Sequence, residues 1–262
     1  MPKVRDIINV LESRIPPVWQ ESYDNTGIQY INGNDECTGV MLCVDVTSEI
    51  LAEAASKNCN LIISHHPLLF RAQKSFQGRN RVETVTAEAI KKGINIYSCH
   101  TSVDNAPQIG VSWAMARRLG LENIHCLTTS DDTLPGSGAI GDLKTPIKLS
   151  EFVSLVKKSF NSPIVRSSSN DLDARVKKVA LCGGAGTEFI TDAIDKNADV
   201  YITSDSKLNY FLDYADRIIL LDIGHYEAEE CTKEIFYDII TEKFPNFALY
   251  KSKSESNPVH YL

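Results

Sequence analysis

The sequence lacks the features of an exported, membrane-spanning or nucleic-acid-binding chain. It has no apolar run near the roughly 20 residues that a membrane span needs and no apolar N-terminal stretch of the kind that directs export. Basic residues are outnumbered, and the net charge of -7 repels nucleic-acid phosphates on average, although a local basic patch is compatible with it. We therefore expect a cytoplasmic protein without a membrane partner, and charge does not indicate a nucleic-acid partner.

Signatures of covalent and phosphate chemistry are also missing. The seven cysteines are odd in number and none lies in a Cys-x-x-Cys pair, so we expect them to be reduced thiols. No Gly-x-Ser-x-Gly or Cys-His arrangement supports a covalent nucleophile. The glycine-rich segment 183–186 lacks the lysine of a P-loop and the full dinucleotide fingerprint. We expect a tight turn there, and no residue is assigned to an organic cofactor.

The sequence does contain predicted strands and helices in regular alternation. With 43% hydrophobic and 23% charged residues, the 262-residue chain has a globular composition. Buried strands, each followed by a helix, are predicted at 39–46, 60–64, 94–98, 176–182, 199–203 and 217–223. A shorter strand is predicted at 163–165, a tight turn over 32–35, and a long helix from Gly224 to about Lys243. The pattern predicts an α/β fold.

Both halves show the same order of elements: a helix, a strand, then three strand-helix units. This order indicates an internal duplication, although any α/β chain shows some alternation. We expect two similar, interlinked α/β repeats, 1–128 and 129–262, with mainly parallel or mixed sheets covered by helices.

Four of the six histidines follow predicted buried strands. His65 and His66 follow 60–64, His100 follows 94–98, and His225 follows 217–223. Because ligands of open α/β sheets bind beyond the carboxyl ends of strands, we expect these side chains to meet in one crevice. His125 and His260 lie outside the pattern and are expected to be solvated.

Two carboxylates accompany these histidines at a spacing of four residues. Asp104 follows His100, and Glu229 follows His225 on a predicted helix, where such a spacing puts both side chains on one face. Imidazole with carboxylate suits Zn, Fe, Mn, Co or Ni better than Ca or Mg alone. Asp45 and Asp205, also near strand ends, are candidates to orient the ligands.

The adjacent pair His65-His66 favours two metal ions over one. Successive side chains at a strand end diverge, and two ions about 3.5–4 Å apart allow one histidine on each, bridged by a carboxylate such as Glu229. A single histidine at a strand end is usually only a hydrogen-bonded polar cap, but the combination of features favours a metal site. The sequence predicts a dinuclear centre between the repeats, with metal ligands His65, His66, Asp104, His225 and Glu229 and with His100 as a catalytic acid or base.

Several segments resemble the NIF-three-like dinuclear metal proteins, many of which carry the name GTP cyclohydrolase I type 2 homologue. They are DNTGIQ (24–29), SHHPLLF (64–70), HTSVDNA (100–106), CGGAG (182–186), YITSD (201–205) and GHYEAEE (224–230). The resemblance covers nearly the whole chain. It implies two interlinked α/β halves, a toroidal homohexamer and a dinuclear site at the same five ligand positions. Ser204 and Asn209 stand where family members often have glycine and histidine.

Two functions of different classes follow. The first is a metal-dependent hydrolase that uses a bridging hydroxide between two divalent ions, with a GTP cyclohydrolase-type reaction implied by the family name. The alternative is a non-catalytic, ring-shaped, metal-bearing scaffold that binds protein or nucleic-acid partners. We identify no dedicated reader of guanine or triphosphate in the sequence.

Overall fold

The structure is a computed structural model that describes residues 1–33 and 35–262; Asn34, in the turn expected over 32–35, lies outside them. The strands are β1 (Gly27–Tyr30), β2 (Val40–Cys43), β3 (Leu61–Ser64), β4 (Asn95–Ser98), β5 (Glu122–Cys126), β6 (Ala139–Lys148), β7 (Arg166–Ser167), β8 (Arg175–Leu181), β9 (Val200–Thr203), β10 (Ile219–Asp222) and β11 (Leu249–Lys251). The α-helices are α1 (Val4–Arg14), α2 (Ser48–Ser56), α3 (Arg81–Lys92), α4 (Thr101–Asp104), α5 (Val111–Arg118), α6 (Leu149–Phe160), α7 (Ile190–Asp195), α8 (Leu208–Asp213), α9 (His225–Glu229) and α10 (Thr232–Lys243).

The described chain divides into two compact units. Unit 1 combines Met1–Val103 with Thr232–Ser256, and unit 2 combines Asp104–Cys231 with Asn257–Leu262. The predicted repeats, 1–128 and 129–262, describe an order of elements that occurs twice along the chain. They are not the same as the two compact units, and their boundaries stay a prediction.

Unit 1 is built on a five-stranded sheet in the order β1-β4-β3-β2-β11. β11, β2, β3 and β4 run parallel, and β1 is antiparallel to β4 at the edge. Every residue of β2, β3 and β4 is buried, which is why these strands appear in the sequence as continuous apolar runs. Side chains of α2 and α3 complete an apolar core with β2 and β3. The three parallel strands therefore end together at one edge of the sheet.

Unit 2 is built on a six-stranded sheet in the order β5-β6-β8-β9-β10-β7. β8, β9 and β10 are parallel, whereas β7, β6 and β5 pair antiparallel with their neighbours. Its core combines β8 and β9 with α7, around the fully buried Ile190, Ala193 and Tyr201. As in unit 1, parallel central strands end together at one edge.

The two sheets repeat one topology. The order β1-β4-β3-β2 in unit 1 matches β7-β10-β9-β8 in unit 2, and the edge strands β1 and β7 are both antiparallel. The chain order of a helix, a strand and three strand-helix units is also the same in both. The predicted α/β class and duplicated order are confirmed. Asp205, after β9, therefore holds the topological place that His65 and His66 hold after β3.

Several elements differ from the sequence-based prediction, and the short strand β11 was not predicted. The short strand expected at 163–165 is Arg166–Ser167. β5 and β6 were not predicted, because the glycine, charged residues and proline of β6 interrupt its apolar pattern. The helix expected from Gly224 to Lys243 is two helices, α9 and α10. The break has a physical reason: α9 packs against α5 in unit 2, whereas α10 packs against α1 and β2 in unit 1.

All seven cysteines are buried free thiols. Burial raises the pKa of Cys43 and of Cys182, and nearby carboxylates raise both further, so these side chains remain neutral. They pack as small apolar groups. Within residues 1–33 and 35–262, no helix combines the length and the apolar character needed to cross a lipid bilayer.

A buried ion pair fixes the C-terminal part of unit 1. Lys233 Nζ lies 2.9 Å from Glu255 Oε2, and the two side chains are 6% and 5% exposed. The other carboxylate oxygen, Oε1, accepts hydrogen bonds from the backbone N–H groups of Val44 (2.7 Å) and Asp45 (3.0 Å). Glu255 thereby supports the backbone that carries Asp45, directly after β2.

We expect Glu255→Ala to lower the free energy of unfolding by about 3–5 kcal/mol, because it breaks a buried ion pair by removing one of its two partners. The matched control is Arg14→Ala, which breaks an ion pair with Glu242 whose side chains are 46% and 69% exposed. This control should cost less than about 1 kcal/mol. Urea denaturation measures both, and equal losses in the two variants would contradict the interpretation.

Candidate metal centre

Three histidines of unit 1 form one compact group. His65 and His66 follow β3 and His100 follows β4, and these parallel strands end at the same edge. The ring centroids are 4.9 Å apart for His65 and His66, 5.2 Å for His65 and His100, and 5.4 Å for His66 and His100. One ring nitrogen of each lies within 4.8 Å of the other two. Such a group of imidazole nitrogens suits a transition-metal ion.

Each ring of this group is oriented by an acceptor at Nδ1. The contacts are His65 Nδ1 to the carbonyl oxygen of Cys99 (3.1 Å), His66 Nδ1 to Asp45 Oδ2 (3.1 Å) and His100 Nδ1 to Asp24 Oδ1 (2.7 Å). Because a carbonyl or an ionised carboxylate can only accept, we assign the hydrogen to Nδ1, which leaves the lone pair on Nε2. Metal-binding histidines are oriented in the same way.

Asp24 holds the His100 ring from a fully buried position. Its Oδ2 accepts hydrogen bonds from the backbone N–H (3.1 Å) and the hydroxyl (2.6 Å) of Thr101 and from the hydroxyl of Thr26 (2.9 Å). Burial alone would raise the pKa of Asp24, but the hydrogen bonds from His100 and Thr101 outweigh it and hold this pKa well below its usual range. Asp24 stays ionised and fixes the orientation of His100.

Asp45 has the corresponding role for His66 from a more open position. Its backbone follows β2, and its carboxylate lies 3.1 Å from His66 and 3.8 Å from Arg81. Burial raises the pKa of Asp45, but the hydrogen bond from His66 more than offsets this, and the net shift is downward. Asp45 is therefore hydrogen-bonded to the ring that it was expected to orient.

In unit 2, His225 lies between two carboxylates. Its Nδ1 is 2.8 Å from Asp205 Oδ2, and its Nε2 is 3.0 Å from Glu229 Oε2, one helical turn along α9. Burial by itself lowers the pKa of His225, but the hydrogen bonds with Asp205 and Glu229 reverse this and raise it to about 11. Asp205 orients the ring as expected, and the two carboxylates create a negative potential that attracts a cation.

Glu229 reaches its position because of a glycine. Gly184, in the turn after β8, has a φ of +64°, and a Cβ on it would overlap Glu229 Oε1. Only glycine combines this left-handed backbone with so close an approach of a buried carboxylate. The segment 183–186 is thus a turn that makes room for a candidate ligand.

The remaining predicted ligand, Asp104, is half-buried at the end of α4. The pKa of Cys182 is raised first by burial and then by the charge of Asp104, with a smaller contribution from Glu229. Both carboxylates therefore lie near the same thiol in unit 2. Unit 1 thus brings together His65, His66 and His100, and unit 2 contains Asp104, His225 and Glu229.

Sequence reasoning missed three residues that support the candidate ligands. Asp24 entered only as part of the segment 24–29, and Glu255 and Gly184 had no role assigned. The charge of Asp24 beside Asn25 and Thr26 offered a weak signal of a polar, hydrogen-bonded loop. His125 and His260 are exposed, as expected.

Comparisons with known proteins point to one family. The model of the Duf34/NIF3 (NGG1p interacting factor 3) family matches residues 2–258. A GTP cyclohydrolase 1 type 2 homolog of Ureaplasma parvum is 32% identical over 264 residues, covering 99% of this chain and 98% of the relative. A protein of the same name from a Nostoc species is 34% identical over 230 residues, covering 87% of each chain.

Solved structures show the same fold. A Bacillus cereus protein related to NIF3 superposes with a TM-score of 0.93 at 23% identity, covering 100% of this chain and 99% of that chain. A hypothetical protein of Staphylococcus aureus gives a TM-score of 0.92 at 26% identity, with 100% of both chains covered. Since the family model spans nearly the whole sequence, the chain belongs to the Duf34/NIF3 family.

Proposed function

We propose that the protein is a metal-dependent hydrolase with two divalent ions per chain. The proposed ligands are His65 and His66 from unit 1 with Asp104, His225 and Glu229 from unit 2. The observation that carries the proposal is the shared orientation of the histidines: His65, His66, His100 and His225 each have an acceptor at Nδ1. At His65 and His66 this arrangement directs Nε2 toward a cation, and at His225 a cation would replace the proton that Nε2 shares with Glu229.

The charge of the donor set supports a pair of divalent cations. Neutral imidazoles bind transition metals but do not offset their charge, whereas Asp104 and Glu229 supply negative charge from carboxylates held in a largely buried environment. Two divalent ions held by these residues would supply an activated water as nucleophile at neutral pH.

His100 is the proposed acid or base of the reaction. Its Nδ1 is held by the ionised Asp24, so Nε2 accepts a proton and Asp24 stabilises the resulting imidazolium. Phe70 packs edge-on against the ring at 6.0 Å between centroids and limits its movement. The name of these relatives, GTP cyclohydrolase 1 type 2 homolog, supports GTP as the first substrate to test, with hydrolytic opening of the purine imidazole ring as the reaction.

A non-catalytic scaffold remains the alternative function. It is supported by the family description as an NGG1p interacting factor, which names a protein partner. Removal of the metal separates the two functions, because hydrolysis requires the ions whereas binding to a protein surface does not.

We also propose that the chain forms a homohexamer. Leu208 and Leu212, one turn apart on α8, are 73% and 70% exposed, and self-association is one way to cover such apolar side chains. Static light scattering should give a mass about six times 29.1 kDa. A mass equal to one chain at micromolar concentration would contradict the proposal.

The metal content provides the first test of the ligand assignment. We expect two transition-metal ions per chain, and we expect His66→Ala and His225→Ala each to reduce this number. His125→Ala is the matched control, because His125 also has a carboxylate at Nδ1 but is 65% exposed and lies apart from the other histidines. Elemental analysis measures all four proteins, and equal metal loss in the three variants would indicate misfolding and remove the support for the ligands.

The second test separates a ligand from a proton-transfer group. Glu229→Gln keeps the size of the side chain but removes the charge that holds the cations, so we expect hydrolysis of GTP to fall to background. His100→Ala should keep both ions and lose about 10²-fold in rate, as for a general acid or base. Chelation should abolish activity, and Mn, Zn, Fe or Co should restore it.

Full activity of Glu229→Gln, or of chelated protein with verified metal loss, would reject the hydrolytic mechanism and favour the scaffold. Loss of a metal ion in His100→Ala would instead reassign this residue as a ligand.

A further inference from the structure

Unit 2 contains a polar cavity of about 410 Å³, and none of the proposed metal ligands lines it. β5, β6 and β8 contribute to its wall together with the loop after β5 and the residue after α7. The lining side chains that carry the argument are His125, Ser130, Asp132, Asp142, Lys178 and Lys196. The volume falls within the range of small-molecule sites in proteins.

Asp132 and His125 form a fixed dyad in this wall. Asp132 Oδ2 lies 2.7 Å from His125 Nδ1, and Oδ1 accepts a hydrogen bond of 2.7 Å from the backbone N–H of Cys126. Burial raises the pKa of Asp132, but the hydrogen bonds from Cys126 and His125 outweigh it and lower the pKa overall. Asp132 is therefore ionised, and both of its carboxylate oxygens already accept hydrogen bonds from neighbouring residues. It keeps hydrogen on His125 Nδ1 and leaves Nε2 as an acceptor in the exposed ring.

Two ammonium groups supply positive charge to the cavity. Lys196 Nζ donates one hydrogen bond of 2.9 Å to the carbonyl oxygen of Cys126, which fixes the ammonium group. The other two ammonium hydrogens can donate to a ligand. Lys178, half-buried on β8, has no side-chain hydrogen bond or ion pair with any described residue. A fixed and an available ammonium group in one cavity favour an oxyanion with two or more oxygens, such as a phosphate.

The cavity wall also contains the negative charge of a carboxylate, that of Asp142. Asp142 on β6 lies directly across from Lys178 on β8 in the antiparallel ladder, so both side chains are on the same face of the sheet. Within the described chain the two form no ion pair, although they are nearest neighbours across the strands. Asp142, His125 Nε2 and the hydroxyl of Ser130 can each accept a hydrogen bond from a ligand hydroxyl.

These charges identify a ligand with an anionic end and a hydroxylated end. The described lining residues include no Phe, Tyr or Trp, so the wall has no large apolar ring on which a nucleobase would stack. We propose that this cavity binds a small phosphorylated polyol, with the phosphate on Lys178 and Lys196 and the hydroxyl groups on Asp142, His125 and Ser130.

Titration calorimetry with ribose 5-phosphate and with inorganic phosphate tests the proposal on the metal-loaded protein. Ribose 5-phosphate should bind once per chain and more tightly than phosphate. Lys178→Ala should weaken both by about tenfold, the size expected when one hydrogen bond to a charged group is lost. The control Lys144→Ala removes the same charge from an exposed position on β6 outside the cavity and should change neither.

Asp142→Asn should change the affinities for inorganic phosphate and for ribose 5-phosphate in different ways. Removing this carboxylate lowers the repulsion of inorganic phosphate and should tighten its binding by about threefold, since exposed charges interact weakly. The sugar phosphate should lose its advantage over phosphate, because the ionised acceptor for its hydroxyl groups is gone. His225→Ala should leave both affinities unchanged, because the ligand does not bind at the metal centre.

Three results would overturn the proposal. They are the absence of saturable binding at millimolar ribose 5-phosphate, an equal effect of Lys144→Ala and Lys178→Ala, and loss of binding in His225→Ala with a normal unfolding curve. An unchanged preference for the sugar phosphate in Asp142→Asn would overturn the assignment of a polyol.

Discussion

Each strand-end histidine donates its Nδ1 hydrogen to an acceptor that the fold holds in place. The acceptors are the Cys99 carbonyl for His65, Asp45 for His66, Asp24 for His100 and Asp205 for His225. Without such an acceptor an imidazole exchanges tautomers and rotates, and the nitrogen needed for a cation carries hydrogen for part of the time. With it, Nε2 of His65 and His66 is oriented before any ion binds, whereas an ion at His225 would first displace the proton that Nε2 shares with Glu229. The proposed centre depends on these four hydrogen bonds more than on the histidines alone.

The same hydrogen bonds determine where negative charge lies. Asp24, Asp45 and Asp205 each have a lowered pKa for which the hydrogen bond from a histidine is a principal cause. Burying carboxylates is costly unless a positive group accompanies them. In unit 2 that group is the proton of His225, whose pKa of about 11 shows how strongly its surroundings favour a cation. The arrangement is therefore suited to retaining positive charge in a largely buried place.

The sequence predicted the parts of the candidate site that depend on neighbouring residues or on the positions of strand ends. β2, β3 and β4 are continuous buried runs, so Asp45, His65 and His100 were placed correctly at their carboxyl ends. Asp24 could not be assigned, because it orients a histidine 76 positions away and no periodic pattern marks a loop residue. Glu255 was missed for the same reason, since its contacts with Val44 and Asp45 span more than 200 positions. Long-range hydrogen bonds leave no trace in local spacing.

The duplicated topology explains how two similar units acquired different chemistry. After β3 the chain carries His65-His66, whereas after the equivalent strand β9 it carries Asp205, an orienting carboxylate with a left-handed φ of 55°. After β2 stands Asp45, whereas the turn after β8 contains Gly184, which admits Glu229. Among the proposed ligands, unit 1 contains the imidazoles of His65 and His66, and unit 2 contains the imidazole of His225 with the carboxylates of Asp104 and Glu229. Imidazoles alone leave the charge of two divalent cations unbalanced, and one histidine with carboxylates offers few nitrogen donors.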